Sequence, residues 1–272
     1  MLKSVDKCYY IGKSHVTCDD FAACHSWGDV QVSIVADGCS SSKNSDIGSR
    51  LLTMELLHTL ERIHGSYDNI IQSSFQITLH GCLLQLHDRY SHILGDHFLD
   101  CTVLAAVSDG ARTTVLMIGD GAILMERKDG SQVFYRYDFD YNMPAYASYL
   151  LDSCRHTNYL SEVKGYDRQV VNVVDGTVSQ VFERVDLMGL PLVTFEWSHD
   201  LMAKLALCTD GIESFTGPNG LVDWVEVGRK VLASKVPNAG FLQRRVSRIL
   251  EDYSKESIFN SDDVSAVALV TE

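Results

Sequence analysis

Aspartates close apolar runs at intervals along the whole chain: Cys18-Asp19-Asp20, Val35-Ala36-Asp37-Gly38, Ile118-Gly119-Asp120-Gly121, Cys208-Thr209-Asp210-Gly211 and Ser261-Asp262-Asp263-Val264. A carboxylate at the end of a buried strand is costly unless a cation or a set of hydrogen-bond donors satisfies it. Several such strand ends brought together would make an all-oxygen pocket suited to hard divalent ions such as Mg²⁺ or Mn²⁺. Taken singly, an Asp-Gly is ordinarily a turn, because Asp caps its own backbone and Gly supplies positive φ. The joint pattern outweighs that reading.

The elements that must position these carboxylates can be read from periodicity. Residues 30–36 are mostly apolar and β-branched, a buried strand ending at Asp37. The polar run 40–45 is a loop, with Ser45 as N-cap of a helix through His64 whose Ile47, Leu51, Leu56 and Leu60 recur at helical spacing. A second long helix is expected over 69–92, with Ile70, Phe75, Leu79, Leu83 and Leu86 on one face. Strands follow at 102–107, 113–118 and 122–127, the last two joined by Gly119-Asp120-Gly121, and then at 132–137. Residues 205–208 and 264–270 read as short buried strands, separated by helices near 222–233 and 240–253. The stretch 135–186, rich in Tyr and acids, shows few regular signals. Strand clusters between helix pairs suggest two sheets packed face to face with helices outside; the pattern alone says only mixed α and β.

Bulk composition fits one domain spanning residues 1–272, with 46% apolar residues to form a core. A formal charge of −13 argues against nucleic acid or an anionic membrane surface as partner. Eight cysteines without CxxC spacing read as reduced thiols of a cytoplasmic protein. No signal peptide is expected at Met1-Leu2-Lys3, and the apolar runs fall short of a membrane span. Ten histidines contain no HExxH pair, and Gly119-Asp120-Gly121 lacks the third glycine of a dinucleotide fingerprint.

In order, Asp19-Asp20, Asp37-Gly38, Asp100-Cys101-Thr102, Gly119-Asp120-Gly121, Thr209-Asp210-Gly211 and Asp262-Asp263 resemble the signature segments of the metal-dependent serine/threonine protein phosphatases, the PPM or type 2C family. The resemblance runs from about Gly12 to Val270, and Gly12-Lys13-Ser14-His15 is similar to a bacterial branch. It implies an α+β fold, a four-layer α/β/β/α sandwich of two antiparallel sheets flanked by helices. It also implies two Mg²⁺ or Mn²⁺ ions acting on a phosphoserine or phosphothreonine protein, in opposition to a Ser/Thr kinase. Two metals supply both charge neutralisation and an activated water. Asp37 would touch both ions, with the Gly38 carbonyl completing one shell. Asp210 and Asp262 would hold the first ion, and Asp20, with Asp19 beside it, the second. Asp120 matches the acidic residue of a third, weaker position. Residues 135–190 fall where family members carry a variable flap over the cleft, to which substrate or partner recognition is assigned.

Two departures stand out. His15 occupies the place of the family's phosphate-gripping arginine, so it is the expected phosphate contact, with Lys13 as support. Cys39 replaces a histidine held to be the general acid, and an ordinary thiol is a poor proton donor to an alkoxide. Two alternatives stay open: a catalytically weak relative that binds phosphoproteins, or a phosphatase for small phosphate esters.

Overall fold

The computed structural model describes residues 2–64, 67–72, 75–189, 192–233 and 238–271. The chain opens with β1 (Leu2–Tyr10), β2 (Phe21–Trp27) and β3 (Val30–Ala36), then α1 (Ser45–His64), α2 (Tyr67–Gln72) and α3 (Phe75–Leu94). Four strands follow: β4 (Val103–Ser108), β5 (Arg112–Ile118), β6 (Gly121–Arg127) and β7 (Gln132–Phe139). Two single 3-10 turns and α4 (Ser153–Glu162) lead into β8 (Gly165–Val174), β9 (Thr177–Asp186), β10 (Val193–Ser198) and β11 (Met202–Cys208). The chain ends with β12 (Phe215–Gly217), β13 (Gly220–Leu221), α5 (Trp224–Leu232), α6 (Phe241–Lys255), β14 (Phe259–Asn260) and β15 (Val264–Thr271).

Two antiparallel sheets dominate, one of seven strands in the order β1-β15-β11-β6-β7-β8-β9 and one of five, β10-β5-β4-β3-β2. Their central strands are buried on both faces, and side-chain alternation divides each between two cores. In β4, Val103, Ala105 and Val107 face a core shared with Leu52, Leu56 and Leu83 of α1 and α3, whereas Leu104 and Ala106 face the other sheet. In β15, Ala266, Ala268 and Val270 pack against α5 and α6, while Val267 and Leu269 fill the space between sheets. Helix, sheet, sheet, helix is therefore the layer order, as the family resemblance implied.

Strands 30–36, 113–118 and 264–270 stand close to where periodicity put them. Ser45 differs: it is the first helical residue, and its hydroxyl donates to the carbonyls of Cys39 and Ser42 instead of accepting a helix N–H. The expected helix over 69–92 is seen as α2 and α3, and the junction at 73–74 lies outside the described residues. The stretch 135–186 is more regular than its sequence suggests, because β8 and β9 pair along their whole length at the edge of the larger sheet. β9 escapes a sequence reading since both its faces are exposed, leaving no apolar alternation. Residue 190 of the expected flap, and residues 1 and 272 of the expected domain, lie outside the described residues.

One buried carboxylate ties the segment before β8 to the body. Asp100, 3% exposed, meets Arg155 of α4 at 3.0 Å, Ser148 Oγ at 2.5 Å and Ser42 Oγ at 2.9 Å. Its carbonyl accepts the Cys39 N–H at 2.9 Å. Removing one partner of a buried ion pair leaves an uncompensated charge, which costs roughly 3 kcal/mol or more. Arg155→Met is therefore expected to lower the unfolding free energy in urea by about 3 kcal/mol, whereas the exposed Lys13→Met stays within about 0.5 kcal/mol. Equal midpoints for the two variants would contradict this account of Asp100.

Candidate metal centre

Strand register brings the aspartates together. Phe21 pairs with Ala36 across β2 and β3, so the next positions outward, Asp20 and Asp37, meet at one end of the five-stranded sheet. Val103 pairs with Ile118, which sets Thr102 opposite Gly119, and the Thr102 N–H donates to the Asp37 carbonyl at 2.9 Å. In the other sheet Cys208 pairs with both Ala266 and Ala122, carrying Asp210 to the same end. Gly119 and Gly121 have φ of +96° and +124°, a conformation L side chains rarely adopt, and there the chain leaves one sheet for the other with Asp120 between them. Gly38 answers a different need: a Cβ there would stand 2.8 Å from the carbonyl oxygens of Asp19 and Ser45.

The expectation that Asp20, not Asp19, points inward agrees with the geometry. Asp20 is 1% exposed and accepts the Thr209 hydroxyl at 2.7 Å, while Asp19 is half-buried at the rim. Burial raises the Asp20 pKa well above the carboxyl range, against hydrogen bonds from Thr209 and Asp37. For Asp37, burial and then the charges of Asp210, Asp20 and Asp120 act in the same direction. Asp120 is raised by burial and by Asp210. Asp210 is pushed up to about 6, by burial first and then by Asp262. A cavity of about 190 Å³ opens beside them, lined among others by Asp120, Asp210, Asp262, Glu213, Asp138 and Arg136. Glu213 is raised to about 7 by burial, with Arg136 opposing and Asp210 adding.

The rim holds His15, 3.4 Å from Asp262 and 3.2 Å from Asp263. Burial lowers the His15 pKa, but Asp263, Asp262 and Asp19 outweigh it and the net shift is upward. Both ring nitrogens thus face carboxylates and not an open phosphate position. Lys13 is not at the basin: its Nζ lies 3.6 Å over the Phe259 ring. The Cys39 thiol lies 3.1 Å from Ser41 Oγ; burial opposes its ionisation, yet hydrogen bonds from Ser41, Tyr146 and Ser42 bring its pKa below the ordinary thiol value.

Sequence reasoning assigned no role to Asp263, Glu213, Arg136 or Asp138. Glu213 carried a signal, being three residues beyond Asp210 in a 3-10 turn. Asp263 carried none, since which of two adjacent acids is buried depends on the path of the chain into β15. Asp263 accepts the N–H groups of Gly12 at 2.6 Å and Asp19 at 2.5 Å.

The donor set fits hard divalent cations. Among the described residues no lysine or arginine forms an ion pair with Asp19, Asp20, Asp37, Asp120, Asp210, Asp262 or Asp263. One carboxylate oxygen of Asp120 is buried without a hydrogen-bond partner. Oxygen donors crowded in this way, with their own repulsion unrelieved, are suited to Mg²⁺ or Mn²⁺.

Comparison with known proteins agrees with this geometry. The sequence model of protein phosphatase 2C matches residues 11–251, and the chain belongs to that family. Among solved structures it is similar to the serine/threonine phosphatase Stp1 from Staphylococcus aureus, at 12% identity and a TM-score of 0.60, covering 100% of this chain and 96% of that one. A serine/threonine phosphatase of S. agalactiae matches at 11% identity and a TM-score of 0.60, with full coverage of both chains. The PPM Ser-Thr phosphatase MsPP from Mycobacterium smegmatis, in complex with cacodylate, matches at 14% identity and a TM-score of 0.52, covering 100% and 99%. At these identities the likeness is one of fold. No curated protein matches the sequence.

Crowded carboxylates leave a signature in stability. The folded-state values of Asp210 (about 6) and Glu213 (about 7) lie above the usual carboxyl range, so the native state holds protons that the unfolded chain has released. Stability therefore falls as pH rises from about 4 to 7, by at most about 3 kcal/mol for each group. Metal-free protein should melt lower at pH 7.5 than at pH 5, Mn²⁺ should restore more at pH 7.5, and Asp210→Asn should shrink the contrast. Melting curves in chelator at both pH values check this; an unchanged contrast in Asp210→Asn would count against it.

Proposed function

We propose that this protein is a cytoplasmic, metal-dependent phosphatase acting on phosphoserine and phosphothreonine in proteins. What carries the reading is the convergence of Asp20, Asp37, Asp120 and Asp210, none of which has a lysine or arginine ion-pair partner among the described residues, at the sheet ends of a phosphatase 2C fold. The eight free cysteines are consistent with a reducing compartment. No described helix is long and apolar enough to cross a membrane.

Asp37 is assigned as the shared ligand of two Mg²⁺ or Mn²⁺ ions, with the Gly38 carbonyl beside it. Asp210 and Asp262 would hold the first ion and Asp20 the second, backed by Asp19, while Asp120 would serve a third, weaker position. When bound, such ions neutralise a phosphomonoester dianion and bring the pKa of water near neutrality. The protein's own part is to hold its donors still. The Thr209 hydroxyl engages Asp20 Oδ2 and also accepts the Ser265 N–H at 3.0 Å, which restricts rotation of that carboxylate. Arg136 is held by Asp138 at 2.7 Å and Glu213 at 3.0 Å, and it is the cationic side chain lining the cavity. The phosphate contact expected of His15 therefore passes to Arg136, whose planar fork suits phosphate oxygens. Residues 135–186 border the cavity through Arg136, Asp138 and Asn142, which supports a role in recognising the phosphoprotein made by an opposing Ser/Thr kinase.

Asp37→Asn separates activity from stability. The amide keeps the volume and loses the charge, so Mn²⁺-dependent hydrolysis of a phosphothreonine peptide should fall more than a hundredfold. The same change removes one charge from a crowded buried set, so the metal-free variant should melt higher than the metal-free wild type. Turnover above about a tenth of wild type would refute the role of Asp37. Wild-type turnover of p-nitrophenyl phosphate without the peptide would favour a small-ester phosphatase.

A further inference from the structure

Beside the basin, a second group of donors has the composition of a metal site with a nitrogen ligand. One donor atom each from His15, Asp19 and Asp263 lies within 4.8 Å of the others. His15 Nδ1 is shielded from solvent and, although 3.2 Å from Asp263 Oδ1, is not aligned for a hydrogen bond to it. That separation is one that two ligands of a single ion adopt, since metal–ligand distances of about 2.1 Å place neighbouring donors roughly 3 to 3.5 Å apart. Asp263 retains the capacity to ligate: each of its oxygens takes a single backbone N–H, from Gly12 and from Asp19, and a carboxylate oxygen offers two lone pairs. The Asp263 side chain is 1% exposed and that of His15 20%, so the position is rooted in the protein yet reachable from solvent.

We propose that His15, through Nδ1, joins Asp19 and Asp263 in a mixed nitrogen–oxygen site for a divalent first-row transition-metal ion at the rim of the carboxylate basin. The other ring nitrogen, Nε2, faces Asp262 at 3.4 Å, the arrangement in which a carboxylate orients a metal-bound imidazole. Since Asp262 also lines the cavity, the site would be linked to the basin through the His15 ring. An imidazole donor favours ions such as Zn²⁺, Fe²⁺ or Co²⁺ over Mg²⁺, which prefers oxygen. The site would therefore discriminate among cations where the all-oxygen basin does not.

This inference rests on the metal-dependent reading above, and the test separates the two. Chelator-stripped full-length protein is titrated with Mn²⁺, bound ions are counted by calorimetry, and the loaded protein is examined by pulsed electron paramagnetic resonance. The expected result is nitrogen hyperfine coupling to bound Mn²⁺ that changes isotope pattern in protein grown with nitrogen-15 histidine. It should vanish in His15→Gln together with about one bound ion per chain. Isotope labelling of the wild type keeps the test decisive even where the variant folds poorly. Mn²⁺ binding without histidine coupling would overturn the site while sparing the metal-dependent reading, and would leave His15 as a rim side chain facing Asp262 and Asp263. Absence of Mn²⁺ binding altogether would overturn both.

Discussion

Mutual repulsion among carboxylates is the constraint around which this molecule is arranged. Two unit charges 4 Å apart repel by about 1 kcal/mol in water and about 4 kcal/mol at the effective dielectric near a protein surface. Asp20, Asp37, Asp120 and Asp210 meet where two sheets end, and burial forbids water from screening them fully. What opposes their separation is the sandwich itself. Register is set by core residues on both faces of β3, β4, β6, β11 and β15, and slipping any of these strands by one residue would turn its apolar set toward the wrong layer. The core thus holds a set of charges in place that would separate if free to do so.

Asp100 shows how this chain treats an aspartate that has only a structural task. It is as buried as Asp20, yet Arg155, Ser148 and Ser42 surround it with donors. The basin aspartates have Thr209 and a few backbone groups. Two environments for one residue type, one supplied with donors and one left short of them, are what distinguishes a brace from a candidate cation site. The brace also serves the site, because the Asp100 carbonyl holds the Cys39 N–H and so steadies the turn that follows Asp37 and Gly38.

Much of this was legible in the chain. Strands buried on both faces appear as unbroken apolar runs, which is why β3, β4, β5, β6 and β15 could be read directly. Elements with one wet face, or two, could not. β9 exposes both faces, β10 alternates as Val-Thr-Phe-Glu-Trp-Ser with every second side chain exposed, and β2 carries Cys24, His25 and Ser26 among its apolar residues. Their positions depend on neighbouring strands offering hydrogen bonds, a cause that local composition does not record.

From sequence alone, the positions of the aspartates after apolar runs determined that carboxylates would stand at strand ends, and their order determined the family. Whether those ends coincide was decided by antiparallel pairing, which puts the start of β2 beside the end of β3 and the start of β15 beside the end of β11. Tertiary structure also chose between neighbours that sequence leaves equivalent: Asp20 inward and Asp19 to the rim, Asp263 buried and Asp262 toward the cavity. It also put Arg136 at the wall of the cavity and enclosed His15 among acids. The reason is physical: a side chain's charge environment is the sum over everything folded around it, and most of the charges that surround His15 lie some 250 residues away in the chain.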